Sequence, residues 1–235
     1  MQVAAISNKG DAFYAWGRYL YWADLKRRDF DAYMENHNAE KEGYAQWLGV
    51  ICYWGASLYV VIEGWETAKF QDPIIDALLK VSDYKDVLRR LRNGTFHYQP
   101  SLISPKFVGP LRSEESVLWL HALHDEFCRW LRDFVEAVEL GASPEQTQEF
   151  REHFSTIVGW LPLRPGEEKL LDLRKKFDDI EKKLDESGST SKEAEDLRAT
   201  LALYDTAVKG TANAVRETRR EILSKLGLNP DDFIP

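Results

Sequence analysis

GYAQWLGVICYWGASLYVVI, residues 43–62, runs for twenty residues without a formal charge. That is about the length of a membrane span. Gln46, Ser57 and three glycines interrupt it, however, and Lys/Arg do not cluster at its ends, so a bilayer-spanning segment is not expected. A helix that is apolar on most sides belongs at the centre of a helical bundle. The stretch therefore predicts a central core helix from about Ala39 to Phe70, in an all-α protein with no membrane part.

The segments on either side fit a bundle. Upstream, Phe13, Trp16, Leu20 and Phe30 recur near helical spacing, which predicts a first helix over Asp11–Met34 and a turn at 35–38. Downstream, Asp72-Pro73 pairs a capping side chain with proline at the first helical position, and Ser143-Pro144 repeats the signal. These start a short helix to Lys80 and a later one to Trp160. Between them Ser82 is expected to cap a helix that runs through Val87, Leu88 and Leu91 to Tyr98, where Pro100 stops it. Residues 101–111 read as a loop, and Ser113 as the cap of a long helix to Leu140.

Pro162, Pro165 and Gly166 mark a boundary, beyond which aromatic residues nearly vanish. Leu170, Leu173, Phe177, Ile180 and Leu184 step by three and four, a coiled-coil seam. After the turn at 188–191 a similar stepping runs from Leu197 to Ile222. Residues 163–235 are thus expected to form a charged antiparallel helical hairpin, after a helical bundle over 1–162.

Cys52 and Cys128 lie in apolar helical contexts without CxxC spacing, and the first residues lack a secretory pattern. Both features point to buried thiols in a reducing, cytoplasmic setting. The net charge of −8 excludes a chain coated for nucleic-acid binding. Even so, residues 80–112 carry seven Lys/Arg against only Asp83 and Asp86. A focused basic patch on an acidic body suits a target with a few phosphates.

One segment inside that patch carries chemistry: Arg92-Asn93-Gly94-Thr95-Phe96-His97. On a helix, Asn93 and His97 are four apart and share a face, with Arg92 on the flank. RNA cleavage by an internal nucleophile needs such groups. The 2′-hydroxyl loses a proton as it attacks phosphorus, the leaving 5′-oxygen gains one, and the phosphorane between them gathers negative charge. Histidine can serve the proton steps. Arginine stays charged and can fork onto two phosphoryl oxygens. The spacing of Arg and His alone is a weak signal; the Asn after the Arg, the helix-end placement and the basic surroundings sharpen it.

Leu91 to His97 resembles the R-polar-x-x-x-H motif of HEPN domains, which are helical bundles with the motif on a late core helix. The likeness extends over residues 10–160, and its specific part is the six-residue motif. It implies a metal-independent endoribonuclease without a cofactor, acting on RNA as a homodimer whose two motifs meet in one cleft. It also implies a role in toxin–antitoxin, abortive-infection or antiviral defence systems, with an antitoxin or defence-system partner. Carried over by position, Arg92 and His97 would be catalytic and Asn93 an accessory polar group. Two features depart from the pattern. In the branch silenced by a nucleotidyltransferase partner a tyrosine lies two after the histidine, whereas here that place is Gln99, so the likeness does not extend to that control. Gly94 is also unusual within a helix, and marks either a break in it or the close approach of another backbone.

Arg89, Arg90, Tyr98 and Glu63 complete the set of expected substrate contacts, Glu63 as an acid that could orient Arg92 or His97 from a neighbouring helix. His121 and His124 stand three apart beside Asp125 and Glu126, but with no second ligand cluster they are not expected to hold a metal. Two further readings compete with the nuclease: a non-catalytic HEPN-like module that binds a nucleotide or a partner's acidic segment, and a plain helical scaffold.

Overall fold

The computed structural model describes residues 2–36, 44–101, 104–108, 113–139, 142–160 and 216–233, with single residues 192 and 199. The protein is all-α, with no strand among the described residues. The helices are α1 (Gln2–Asn36), α2 (Tyr44–Ala68), α3 (Pro73–Leu78), α4 (Tyr84–Phe96), α5 (Pro105–Val108), α6 (Glu114–Glu139) and α7 (Pro144–Val158). Residues 216–225 are also helical, and a 3₁₀ turn covers Pro230–Asp232. The chain divides into two compact units, 1–162 with 225–229, and 163–224 with 230–235. In the second, residues 216–224 are helical and Arg220 pairs with Asp231. The expected hairpin seam from Leu170 to Val215 lies outside the described residues.

α2 is the centre of the first unit. It is long and apolar enough, by length and composition, to cross a membrane, yet Ile51, Trp54, Leu58, Val61, Ile62 and Trp65 are buried within the unit. α1 packs against it, as does α4. α1 buries Phe13, Trp16, Leu20, Ala23, Phe30 and Tyr33, a three-and-four stepping that keeps one stripe against the core. The helix runs further at both ends than the 11–34 expected from its apolar residues. Ring packing joins α1 and α2 to α6, where Trp16, Trp65 and Phe127 lie with centroids 5.3–5.7 Å apart. Two indole N–H groups in this interior find acceptors, Trp16 at the Val61 carbonyl (3.1 Å) and Trp119 at that of Leu78 (2.8 Å), whereas the buried Trp65 indole has none.

Local signals set the helix starts. The Asp72 carboxylate accepts from the Ile74 and Ile75 amides at 3.0 and 3.1 Å. Its other oxygen takes a 2.6 Å bond from Arg129, which also holds Glu126 and Asp133 and so ties the start of α3 to α6. Ser143 and Gln146 form a reciprocal capping box at α7. Ser113 accepts from the Ser116 amide at α6. Ser82 differs from expectation. It adopts a left-handed conformation (φ 53°), and Asp83 occupies the cap position of α4 without a side-chain cap bond. The 101–111 segment, expected to be all loop, contains α5.

The core also holds a polar network. Asp24, 1% exposed, accepts from Arg27 at one oxygen (3.1 Å) and from Arg28 at the other (2.7 Å). His124 Nε2 lies 3.3 Å from Asp24 Oδ1, and Trp54 Nε1 donates to His124 Nδ1 at 3.4 Å. An indole only donates, so Nδ1 is the acceptor and the imidazole proton sits on Nε2, aimed at the carboxylate. Burial alone would raise the Asp24 pKa; the hydrogen bond from His124, the charge of that ring when protonated, and the charges of Arg27 and Arg28 outweigh it and hold the value at about 2. A carboxylate with a depressed folded-state pKa contributes stability above its unfolded pKa and loses it as pH falls through the folded one. We therefore expect Asp24→Ala to cost about 3–5 kcal/mol at neutral pH, and the gap from wild type to shrink as pH falls from about 4 towards 2. Urea unfolding across this range checks it; a neutral-pH cost below about 1 kcal/mol would show the network to be idle.

Candidate functional site

α4 runs antiparallel to α2, and the sequence of α4 explains its seat. Val87, Leu88, Leu91 and Gly94 are buried, a spacing that presents one apolar side. α2 meets that side with Gly55, where an added methyl would stand 2.7 Å from Leu91 Cδ2 and 3.1 Å from Leu88 Cδ1. Gly94 does the same for α5, since a methyl there would approach Lys106 Cβ to 3.0 Å. The helix does not break at Gly94. The close neighbour is α5 of the same chain.

With those residues turned inward, the polar ones sort to two flanks. On the α2 flank, Arg92 is about one-third exposed (34%), with Nη2 3.3 Å from Glu63 and Nη1 donating to Asn93 Oδ1 at 3.0 Å. Its guanidinium carbon lies 5.9 Å from the centre of the Tyr59 ring, within cation–π range. Burial first, and then the Glu63 charge, raise the Tyr59 pKa, so the phenol stays neutral. Arg89 and Lys85 share this flank. They pair with Asp86 (3.3 Å) and Glu66 (2.7 Å). Arg90 lies about 200° round the helix from Arg92 and pairs with Asp83 at 3.8 Å. It lines a cavity of about 300 Å³ with Lys106, Ser113 and Ser116, between α4, α5 and the start of α6. The two adjacent arginines thus face different ground.

His97 departs from the expected geometry. α4 ends at Phe96, and His97 has extended backbone angles (φ −123°, ψ 134°). Pro100 disfavours helix at Gln99, and Gln99 donates its side-chain amide to the His97 carbonyl at 2.7 Å. The four-residue helical relation between Asn93 and His97 therefore does not hold. His97 is exposed just past the helix end, and among the described residues no hydrogen bond or ion pair joins its ring to Arg92, Asn93 or Glu63. Tyr98 is 91% exposed. Glu63 thus meets Arg92 and not His97.

Cys52 and Cys128 are free thiols. Burial pushes Cys52 up to about 11 against a hydrogen bond with Thr95 that lowers it, and burial likewise raises Cys128. Neither is an activated nucleophile. His121 packs on Trp54 (4.6 Å), and His124 accepts from the same indole and faces Asp24. Asp24, His124 and Cys128 do bring donor atoms within 4.8 Å of one another. A cation there would meet the two guanidinium groups already on Asp24 and a thiol held protonated, so this donor set reads as core structure. Sequence reasoning missed this cluster, and also Tyr53 and Phe96, whose rings touch beside the motif (6.4 Å). The four-residue step from Arg92 to Phe96 was the available signal for the latter.

No protein-family model, curated protein or solved structure matches the chain.

Glu63 competes with any anion for Arg92. An exposed pair of this kind is worth at most about 1 kcal/mol. Glu63→Gln should leave thermal stability nearly unchanged and tighten the binding of a small anion such as inorganic phosphate at Arg92 by up to about five-fold. Weaker binding in that variant would mean instead that Glu63 holds Arg92 in its working pose.

Proposed function

We propose that the protein is a metal-independent endoribonuclease of HEPN type, with Arg92 and His97 as its catalytic pair. The observation that supports this most is the state of Arg92. It is oriented by Asn93 and Glu63 and set over Tyr59 within five residues of an exposed imidazole. A fixed guanidinium can take two phosphoryl oxygens and stabilise the charge of the phosphorane. An exposed histidine can take the 2′-hydroxyl proton. The attack forms the bond from the 2′-oxygen to phosphorus and breaks that to the 5′-oxygen, leaving a 2′,3′-cyclic phosphate. The leaving oxygen needs a proton from a second donor. His97 stands at a helix end open to solvent, where a second copy of the chain can bring its own imidazole, so the reading includes a homodimer. It also includes a toxin or defence role with an antitoxin or defence partner, in the cytoplasm.

One observation favours the non-catalytic alternative. Arg92 is already engaged by Glu63 and Asn93, an arrangement that also suits a module binding a nucleotide or an acidic segment without turnover.

The two readings separate in one assay. The nuclease cleaves RNA in the presence of EDTA and leaves cyclic phosphate ends. His97→Ala, at an exposed position outside the core, should keep the circular dichroism spectrum and melting temperature while cutting the rate by about 10²-fold or more. Undiminished cleavage in that variant rules out His97 as a catalytic group; saturable binding with no cleavage by wild type selects the binding module.

A further inference from the structure

The α2 flank of α4 does not end at its arginines. Lys85, Arg89, Arg92 and Phe96 follow one another by four, three and four residues, and so line one face over about 16 Å. The charges of Lys85 and Arg89 both bear on the Tyr59 phenol of α2. At the far end the stripe changes character. Phe96 is 56% exposed and Tyr53 of α2 is 52% exposed, with ring centroids 6.4 Å apart and planes at 59°. Tyr98 follows two residues later, 91% exposed. Large rings left open to water beside a row of cations need a reason.

We propose that Tyr53 and Phe96 form a stacking platform for an unpaired nucleobase of a single strand whose backbone runs along Lys85, Arg89 and Arg92. This rests on reading Arg92 as a phosphate ligand. Single-strand sites combine a cationic track with aromatic rings on which bases stack. In a duplex the base faces are covered by their neighbours, so the platform selects against paired RNA. The three cations are each paired, to Glu66, Asp86 and Glu63. Glu66 and Asp86 are exposed and Glu63 is half-buried, and such pairs hold weakly enough to be exchanged for phosphate. A second copy of the chain is the weaker occupant, because two rings side by side offer far less than the roughly 800 Å² per partner that a stable interface needs.

The test uses a strand that the proposed chemistry cannot cut. A fluorescently labelled single-stranded oligothymidylate lacks the 2′-hydroxyl but keeps bases and phosphates. Fluorescence anisotropy of the full chain should show binding that Phe96→Ala and Phe96→Leu each weaken by about ten-fold or more, with unchanged melting temperatures. An abasic strand of the same length should bind more weakly and be indifferent to both substitutions. Equal affinity of wild type and both variants for the oligothymidylate overturns the platform, as does equal binding of the abasic strand, or loss of a dimer in the Phe96 variants on sedimentation. If the platform fails while His97→Ala abolishes RNA cleavage, the nuclease reading stands without it. If the strand binds through Phe96 and no RNA is cleaved, the platform stands and the nuclease reading falls. No binding of the oligothymidylate by wild type overturns the platform, and RNA cleavage with and without His97 then decides the nuclease reading by itself.

Discussion

The closeness of α2 and α4 at Gly55 is the constraint on which the candidate site depends. A side chain there would meet Leu88 and Leu91, so glycine lets the two helices come together and turns one side of α4 inward. Once that side is fixed, helical periodicity leaves no choice for the rest. Arg92 must fall beside Tyr59 and Glu63, Phe96 beside Tyr53, and Arg90 on the opposite flank towards α5. Gly94 repeats the device two residues before the helix ends and seats α5. Arg92 is thus carried on a helix held from two sides, the sort of rigid support that a positioned guanidinium needs.

The charged groups of this first unit divide into two regimes. Asp24 is sealed in the core, where its partners determine its ionisation and both carboxylate oxygens are matched. Arg92, Arg89 and Lys85 are partly or well exposed, and their acidic partners hold them loosely in water. A network of the first kind specifies a structure. Pairs of the second kind leave cations available to an incoming anion. The two sets look alike as sequence, each a few Lys/Arg among Asp/Glu, and burial is what separates them.

Much of the fold was legible in the sequence because the relevant physics is local. The Asp72-Pro73 and Ser143-Pro144 starts, and the cap at Ser113, depend on residues within a turn of each other. The uncharged run of α2 told of a core helix because so many of its sides had to be covered. Other features depend on distant partners and were not legible. Asp24 lies a hundred residues from His124, and on its own reads as one more acid in a charged helix end. Ser82 looked like a cap, but the chain enters α4 through a left-handed turn. At the site, the pairing of Arg92 with Glu63 was one of three options open to the sequence, beside an acid that orients His97 and an acid that simply faces water. The end of α4 was placed beyond His97, whereas the structure ends it at Phe96, before the stretch that Pro100 restricts. That two-residue difference moves the imidazole off the helix face that was to hold it beside Asn93.

The central claim is that Arg92 and His97 act on a single phosphodiester. The most direct measurement follows the Arg92 guanidinium and His97 imidazole resonances by NMR during titration with an RNA carrying one 2′-deoxy residue, uncleavable at that step. The account predicts that both sets of signals move together, saturably and with one dissociation constant. Movement of the arginine signals alone, or of the two with different constants, contradicts it.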